Sequence, residues 1–276
     1  MNRIKVILGL VLVLAAGLAG SGYVLATPSA GFHEIDGEIF DDWGICRTRA
    51  DGEDGFYQIS RTSFRPVIAF ESLGEEAALA YSLGEQIASR YPDQIQRAQA
   101  IFRFVQTKVD YVPDIDQFKQ EEFAQNADEL AIAIDQNGIG YGDCEDSAVL
   151  LAVMYRGAGY RSAIAVGSGH TAALVYLPEY NKAAVVFELE GEPGWVWAEA
   201  TGGNNYLGWV PKEFINVELA AYEVGEETIT LIEPSTAPSA LVARGGGGTS
   251  SQPFPFIGII GFLWLMSLFR RRRRAR

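Results

Sequence analysis

A chain of 276 residues that is 48% hydrophobic can bury one full core, so one globular domain with terminal segments is the simplest organisation. All 35 Asp and Glu fall between Glu34 and Glu233, whereas nine of the 22 Lys and Arg lie outside residues 27–243, leaving 13 basic against 35 acidic side chains in that central region. Phosphate binding needs clustered positive charge, so nucleic acid is excluded as the expected partner; cationic ligands, loosely held divalent metal or a salty environment all suit such a surface.

Residues 1–26 open with Arg3 and Lys5, run apolar from Val6 to Ala19 and end on Val24-Leu25-Ala26, the pattern of an export signal with a small-residue cleavage site. The run from Ile4 to Ala26 is also long enough to span a bilayer, so an uncleaved signal anchor is the second reading. Residues 27–71 read as a loose N-terminal extension in which turn residues alternate with short apolar pieces. Its acidic loop, Asp51-Gly-Glu-Asp-Gly55, lacks the length and spacing of an EF-hand and reads as a solvated turn.

The main domain is expected over 72–232. Ser72-Leu-Gly-Glu75 and Asp93-Gln-Ile-Gln96 have the form of capping boxes and predict helices near 73–90 and 94–108. Leu79, Leu83 and Ile87 form the apolar face of the first; Ala98, Ile101, Phe102 and Val105 form that of the second. Val109–Val112 reads as a short extended piece, and a third helix, about 127–136, starts at Asn126 with Glu129 at the capping position and ends before Gly138.

Gly138–Leu151, GIGYGDCEDSAVLL, puts Cys144 where a flexible glycine-rich turn becomes an apolar helix, with Asp143 as N-cap and Asp146 as its capping partner. Unpaired backbone N–H groups and the helix dipole favour a thiolate there; the alternative is that Cys144 is simply a small buried hydrophobe. Beyond Gly157 and Gly159 the period becomes strand-like: 162–167, 171–177, 183–189 and 195–201 read as strands, with Trp209–Pro211 as a possible fifth edge piece. Short connections imply an antiparallel sheet, and helices followed by strands make the domain α+β.

Residues 233–252, rich in Pro, Ser, Thr and Gly, read as a flexible linker. In 253–276, Pro253–Phe269 gives 17 uncharged, mostly apolar residues, at the short limit for a membrane span, followed by Arg270–Arg274 and Arg276. The arginines predict a cytoplasmic tail, hence a cell-membrane protein whose acidic domain is extracytoplasmic. The polar spacer, Gln252-Pro-Phe-Pro-Phe256, short span and Arg tail also resemble C-terminal sorting signals of prokaryotic surface proteins, in which a sorting enzyme of transpeptidase type removes the span. Stable anchoring and processing both stay open.

Two Cys and two His offer no zinc-site spacing, and no metal or cofactor is expected. A Cys46–Cys144 disulfide is one use of the cysteines, but it would block the thiol. A cysteine nucleophile needs a base and a group to orient it. His170 opens a predicted strand 26 residues after Cys144, whereas His33 lies in the loose N-terminal part. Glu199 stands in an otherwise apolar, aromatic run, where a carboxylate is costly to bury without a partner such as a histidine. A loop histidine and an edge-strand glutamate are each common; the order Cys144, His170, Glu199 is what argues for chemistry.

Gly142-Asp-Cys-Glu-Asp-Ser-Ala-Val-Leu-Leu151, Gly169-His-Thr-Ala-Ala-Leu-Val175 and Trp197-Ala-Glu-Ala-Thr201 resemble the three motifs of the transglutaminase-like superfamily, whose core is papain-like. Val109-Asp-Tyr111 and Gly159-Tyr-Arg161 fit the same pattern, and the resemblance covers roughly residues 72–215. It implies Cys144 as nucleophile, His170 as base and Glu199 as orienter. Many members carry Asp where Glu199 stands and an aromatic soon after the His, where this chain has Thr171-Ala172. The implied reaction is thiolate attack on an amide or peptide carbonyl of a protein or peptide substrate, giving a thioacyl-enzyme. The oxyanion would meet the Cys144 backbone N–H and a second donor, with Tyr111 and Tyr141 as candidates and core packing as the competing role of Tyr111. Asp143, Glu145 and Asp146 oppose thiolate formation and could attract a cationic amine. Hydrolysis, protein cross-linking and a non-catalytic cell-surface interaction module are the functions these features leave.

Overall fold

The computed structural model describes residues 29, 31–60, 63–73, 79–215, 217, 219–225 and 239–244. The expected export signal, most of the linker, the C-terminal span and the Arg tail lie outside them. Among the described residues no helix is long and apolar enough to cross a membrane.

In chain order the elements are β1 (Phe32–Ile35), β2 (Glu38–Asp41), β3 (Cys46–Gly52), β4 (Gly55–Ser60), β5 (Ser63–Arg65), α1 (Val67–Glu71), α2 (Leu79–Arg90), α3 (Gln94–Lys108), β6 (Val109–Tyr111) and α4 (Asp114–Gln117). Then come α5 (Ala127–Asn137), β7 (Gly140–Gly142), α6 (Cys144–Gly157), β8 (Ser162–Gly167), β9 (His170–Tyr176), β10 (Val186–Leu189), β11 (Glu192–Ala198), a 3-10 turn (Lys212–Phe214), β12 (Leu219–Val224) and β13 (Ser239–Arg244). Helices and mostly antiparallel strands form an α+β arrangement around α6, in which every residue from Glu145 to Tyr155 is buried; β3 with β4 and β6 with β7 pair in parallel.

Two helix starts follow their capping residues. Asp93 Oδ1 accepts from Gln96 N–H at 2.8 Å, and Asn126 Oδ1 accepts from Asp128 and Glu129 N–H while Glu129 returns to Asn126 N–H. Ser72 behaves differently from expectation: its hydroxyl donates to Ile68 O and accepts from Ala127 N–H, joining α1 to α5. The buried face of α2 is also rotated, to Ala80, Gly84 and Ile87, with Leu79 and Leu83 only partly buried. Close approach to α6 is the reason. A Cβ on Gly84 would lie 2.1 Å from Met154 O, and one on Gly157 would lie 2.1 Å from Tyr81 O, so the two backbones touch where neither helix carries a side chain.

The second half is a closed antiparallel barrel in the order β10-β11-β9-β8-β12-β13, rather than an open sheet. One face of β8 and β9 (Ile164, Ala173, Val175) joins the core around α6, and the other (Ala163, Ala165, Ala172, Leu174) meets Phe187, Trp195 and Trp197. Trp209–Pro211 is not a strand; it leads into the 3-10 turn. The strand that closes the barrel is β13, in residues expected within the linker: its Val242 to Arg244 pair with β10 and its Ser239 to Leu241 with β12. Two unpaired strand edges recruit a six-residue β-prone run that its Pro- and Gly-rich flanks hide in the sequence.

The N-terminal extension is not loose. It forms a five-stranded sheet in the order β1 to β5, fastened by Arg47. This fully buried guanidinium pairs with Asp41 at 2.8 Å, Glu71 at 3.1 Å and Glu129 at 2.9 Å, and donates to Ala124 O. Composition cannot reveal such a network, because its partners come from three elements. In the acidic loop, Asp54 is held by Arg49 at 2.7 and 2.8 Å. Both cysteines are free thiols, so the Cys46–Cys144 disulfide is absent; Cys46 is buried beside Glu38 and Thr48 in the N-terminal sheet.

Candidate active site

The stretch before Cys144 is more ordered than a flexible turn. Gly138 closes α5 in the left-handed region (φ 79°), and Gly140–Gly142 form β7, which pairs with β6 so that Tyr111 faces Gly142. A Cβ on Gly142 would lie 2.6 Å from Asp146 Oδ2, so glycine makes room for the carboxylate that fixes the helix start. Asp146 accepts from Gln125 N–H at 2.7 Å, Gln125 Nε2 at 2.8 Å and Asp143 N–H at 3.2 Å. Cys144 is thereby held as the first residue of α6.

His170 opens β9 directly after Gly169, whose φ of 68° turns the β8–β9 hairpin. Its ring stacks on Phe214 at 5.3 Å and on Trp197 at 6.4 Å between centroids, which fixes its plane. Its Nε2 is hydrogen-bonded to Glu199 Oε2, and the other carboxylate oxygen of Glu199 accepts the Thr201 hydroxyl. Glu199 is only 4% exposed, and Asn205 Nδ2 donates to its backbone carbonyl at 3.2 Å. With Nε2 taken, Nδ1 is the ring nitrogen that can serve a thiol.

Cys144 Sγ lies near the Thr171 backbone, and Thr171 adjoins His170. The thiol itself donates to Glu145 Oε2 at 3.1 Å, and among the described residues no Cys144–His170 hydrogen bond forms. Burial first, then the carboxylates of Glu145 and Asp143, hold the thiol well above its usual range. The opposition expected of these acidic neighbours is thus present, and Glu145 is the one in contact.

A cavity of about 570 Å³ opens over His170 and Glu199, walled by Tyr111, Asn205, Trp209 and Phe214. Burial, then the charges of Asp143, Cys144 and Glu145, push the Tyr111 phenol up to about 12, so it keeps a proton to donate. Tyr141 is not brought in: its exposed side chain is outside the cavity wall, and its carbonyl accepts from Gln125 Nε2 at 2.8 Å. His33 stacks on Phe40 in the N-terminal sheet and takes no part.

Residues 81–214 match the family profile of the transglutaminase-like superfamily. This region belongs to that superfamily. No curated protein matches the chain. The transglutaminase-like region contains Cys144, His170, Glu199 and the whole cavity wall, but neither the N-terminal sheet nor the last two barrel strands. Sequence reasoning missed three contributors. Thr201 stood at the end of the third motif without a role; Phe214 reaches His170 only through the fold; and Asp114, from α4, joins the carboxylates near Cys144.

Proposed function

We propose that the chain is a transglutaminase-like cysteine hydrolase or protease, acting on amide or peptide bonds outside the membrane that its terminal segments would engage. The observation that carries this reading is the Thr201–Glu199–His170 chain of hydrogen bonds, which orients an imidazole on the strand against which the Cys144 sulfur packs. In this mechanism the thiol turns from Glu145 to His170 Nδ1 and gives it the proton. The thiolate attacks the substrate carbonyl carbon, and the oxyanion is met by the Cys144 N–H and the Tyr111 hydroxyl. His170 then returns the proton to the departing amine, leaving a thioester. Water, deprotonated by the same imidazole, releases the acid; an amine in its place gives cross-linking.

Alkylation with iodoacetamide under reducing conditions, followed at the Cys144 peptide, tests the nucleophile. We expect Cys144 in the folded protein to react faster than in denatured protein and to lose that advantage in His170→Ala. A rate no higher than that of the denatured thiol overturns the proposal. Offering a labelled amine with glutamine-containing proteins separates transamidation from hydrolysis by product. The Cys144–Glu145 hydrogen bond favours a second reading, a non-catalytic cell-surface module that keeps the fold. In that case Cys144→Ala would still rescue a deletion strain; catalysis requires the rescue to fail.

A further inference from the structure

The N-terminal sheet lies outside the transglutaminase-like region, yet it holds the active site at two points, one on each side of the pair Cys144 and His170. The first is the helix start. Ala124 N–H donates to Arg47 O of β3 at 2.8 Å, and Arg47 Nη1 donates to Ala124 O at 2.9 Å. The next residue, Gln125, donates to Asp146 through its backbone N–H at 2.7 Å and through Nε2 at 2.8 Å, and Asp146 fixes the first turn of α6, where Cys144 stands.

The second point is the strand that carries the base. Tyr57 of β4 donates its hydroxyl to Thr171 Oγ1 at 3.1 Å, across 114 positions of sequence. The Tyr57 ring packs on Phe56 at 4.7 Å and on Phe64 at 5.2 Å between centroids, so packing fixes where its hydroxyl points. Both partners are buried, Tyr57 at 3% and Thr171 at 6% exposure, and solvent does not stand in for either. Side chains alternate along a strand, so Thr171 shares the α6 face of Ala173 and Val175, while His170 lies on the side of Trp197 and Phe214. One hydroxyl thus pins the first residues of β9 at the level of Cys144. Burial, then the charges of Glu145 and Cys144, raise the Tyr57 phenol, which keeps its proton and stays a donor. Glu145 and Asp143 hold the thiol up; the Thr171 backbone acts the other way and lowers it.

We infer that Tyr57 is a positioning residue of the active site and that the N-terminal sheet is the clamp that sets Cys144 against His170. This rests on the reading of Cys144 as the nucleophile. The thiol points to Glu145 at rest and has to turn to His170 Nδ1, a transfer that lengthens if the start of β9 drifts from α6. Tyr57 acts through Thr171. The titratable groups that face the thiol are Asp143 and Glu145 on α6, Tyr111 on β6 and Tyr57 on β4, with His170 beside Thr171 on β9. Tyr57 falls in the extension that reads as loose in sequence, where nothing local marks it.

The test is the alkylation rate of Cys144 by iodoacetamide against pH, in folded full-length protein. Tyr57→Phe keeps the ring and removes the donor; it should slow alkylation about tenfold near neutral pH and move the profile to higher pH. Thr171→Val removes the acceptor and should do the same, Thr171→Ser should keep the parental behaviour, and the double variant Tyr57→Phe with Thr171→Val should be no slower than either alone. Tyr155→Phe is the control for lost stability: it removes a buried hydroxyl that donates to Ala98 O at 3.2 Å, and should lower the urea midpoint while keeping the parental rate and profile. Parental rates and profiles in both Tyr57→Phe and Thr171→Val overturn the inference, as does equal slowing in Tyr155→Phe. Failure of the nucleophile reading shows elsewhere, in a parent no faster than the denatured thiol, and the comparison among folded variants is read the same way in either case.

Discussion

Thr201 shows how one hydroxyl can matter to a thiol with which it makes no hydrogen bond. Its donation to Glu199 Oε1 satisfies the second oxygen of a carboxylate that is 4% exposed, leaving Oε2 for His170. Without the hydroxyl, Glu199 has an unsatisfied buried oxygen and reason to rotate toward another donor, at a cost of about 1–3 kcal/mol. Thr201→Val should therefore slow Cys144 alkylation near neutral pH by about tenfold and change its pH profile, whereas Thr201→Ser should restore both. A Val variant with the parental rate and profile would reduce Thr201 to a packing residue.

Among the elements, the contact of α2 with α6 is the most sensitive to a single atom. Gly84 and Gly157 allow backbone-to-backbone approach, and the atoms an added Cβ would strike are carbonyl oxygens 2.1 Å away, which cannot rotate aside as a side chain can. Gly157→Ala should thus push the helices apart and destabilise the protein by about 1–3 kcal/mol, despite the better helix propensity of alanine. Urea unfolding should show a lower midpoint with an unchanged slope. A midpoint at or above the parent's would mean that the helices can separate at no cost. The sequence predicted both helices but put Leu83 on the buried face, because apolar periodicity cannot register a contact made by the absence of a side chain.

For the whole molecule, an acidic chain that buries carboxylates ties its stability to pH. Asp128 is 2% exposed and accepts from Ala80 N–H at 3.1 Å; burial is the main cause that pushes its carboxyl from 3.8 up to about 7. The folded protein therefore binds this proton more tightly than the unfolded chain. The associated stability is fully present below about pH 4 and is lost as pH rises through about 7, on the order of a few kcal/mol. Asp128→Asn keeps the acceptor and removes the titration, so melting temperatures measured in EDTA from pH 5 to 8 should fall less steeply than in the parent. Equal slopes would show that Asp128 ionises alike in both states.

By itself, the sequence determined the local elements and the order of the chemical groups. Asn126 and Asp93 marked two helix starts, period-two runs marked β8 and β9, and the motifs named Cys144, His170 and Glu199 before any contact was known. These are signals carried within a few residues, where capping geometry and side-chain alternation act. The tertiary structure decided what depends on distant partners: the Arg47 network that orders the N-terminal sheet, the closure of the barrel by Ser239–Arg244, the Thr201 hydroxyl on Glu199, and the thiol turned to Glu145. Asp114 reaches the start of α6 from thirty positions upstream, and the acidic cluster there exists only once the chain has closed around it. Burial supplies the physical reason, since a carboxylate in solvent is ordinary, whereas the same group enclosed with others must find a proton, a donor or a cation.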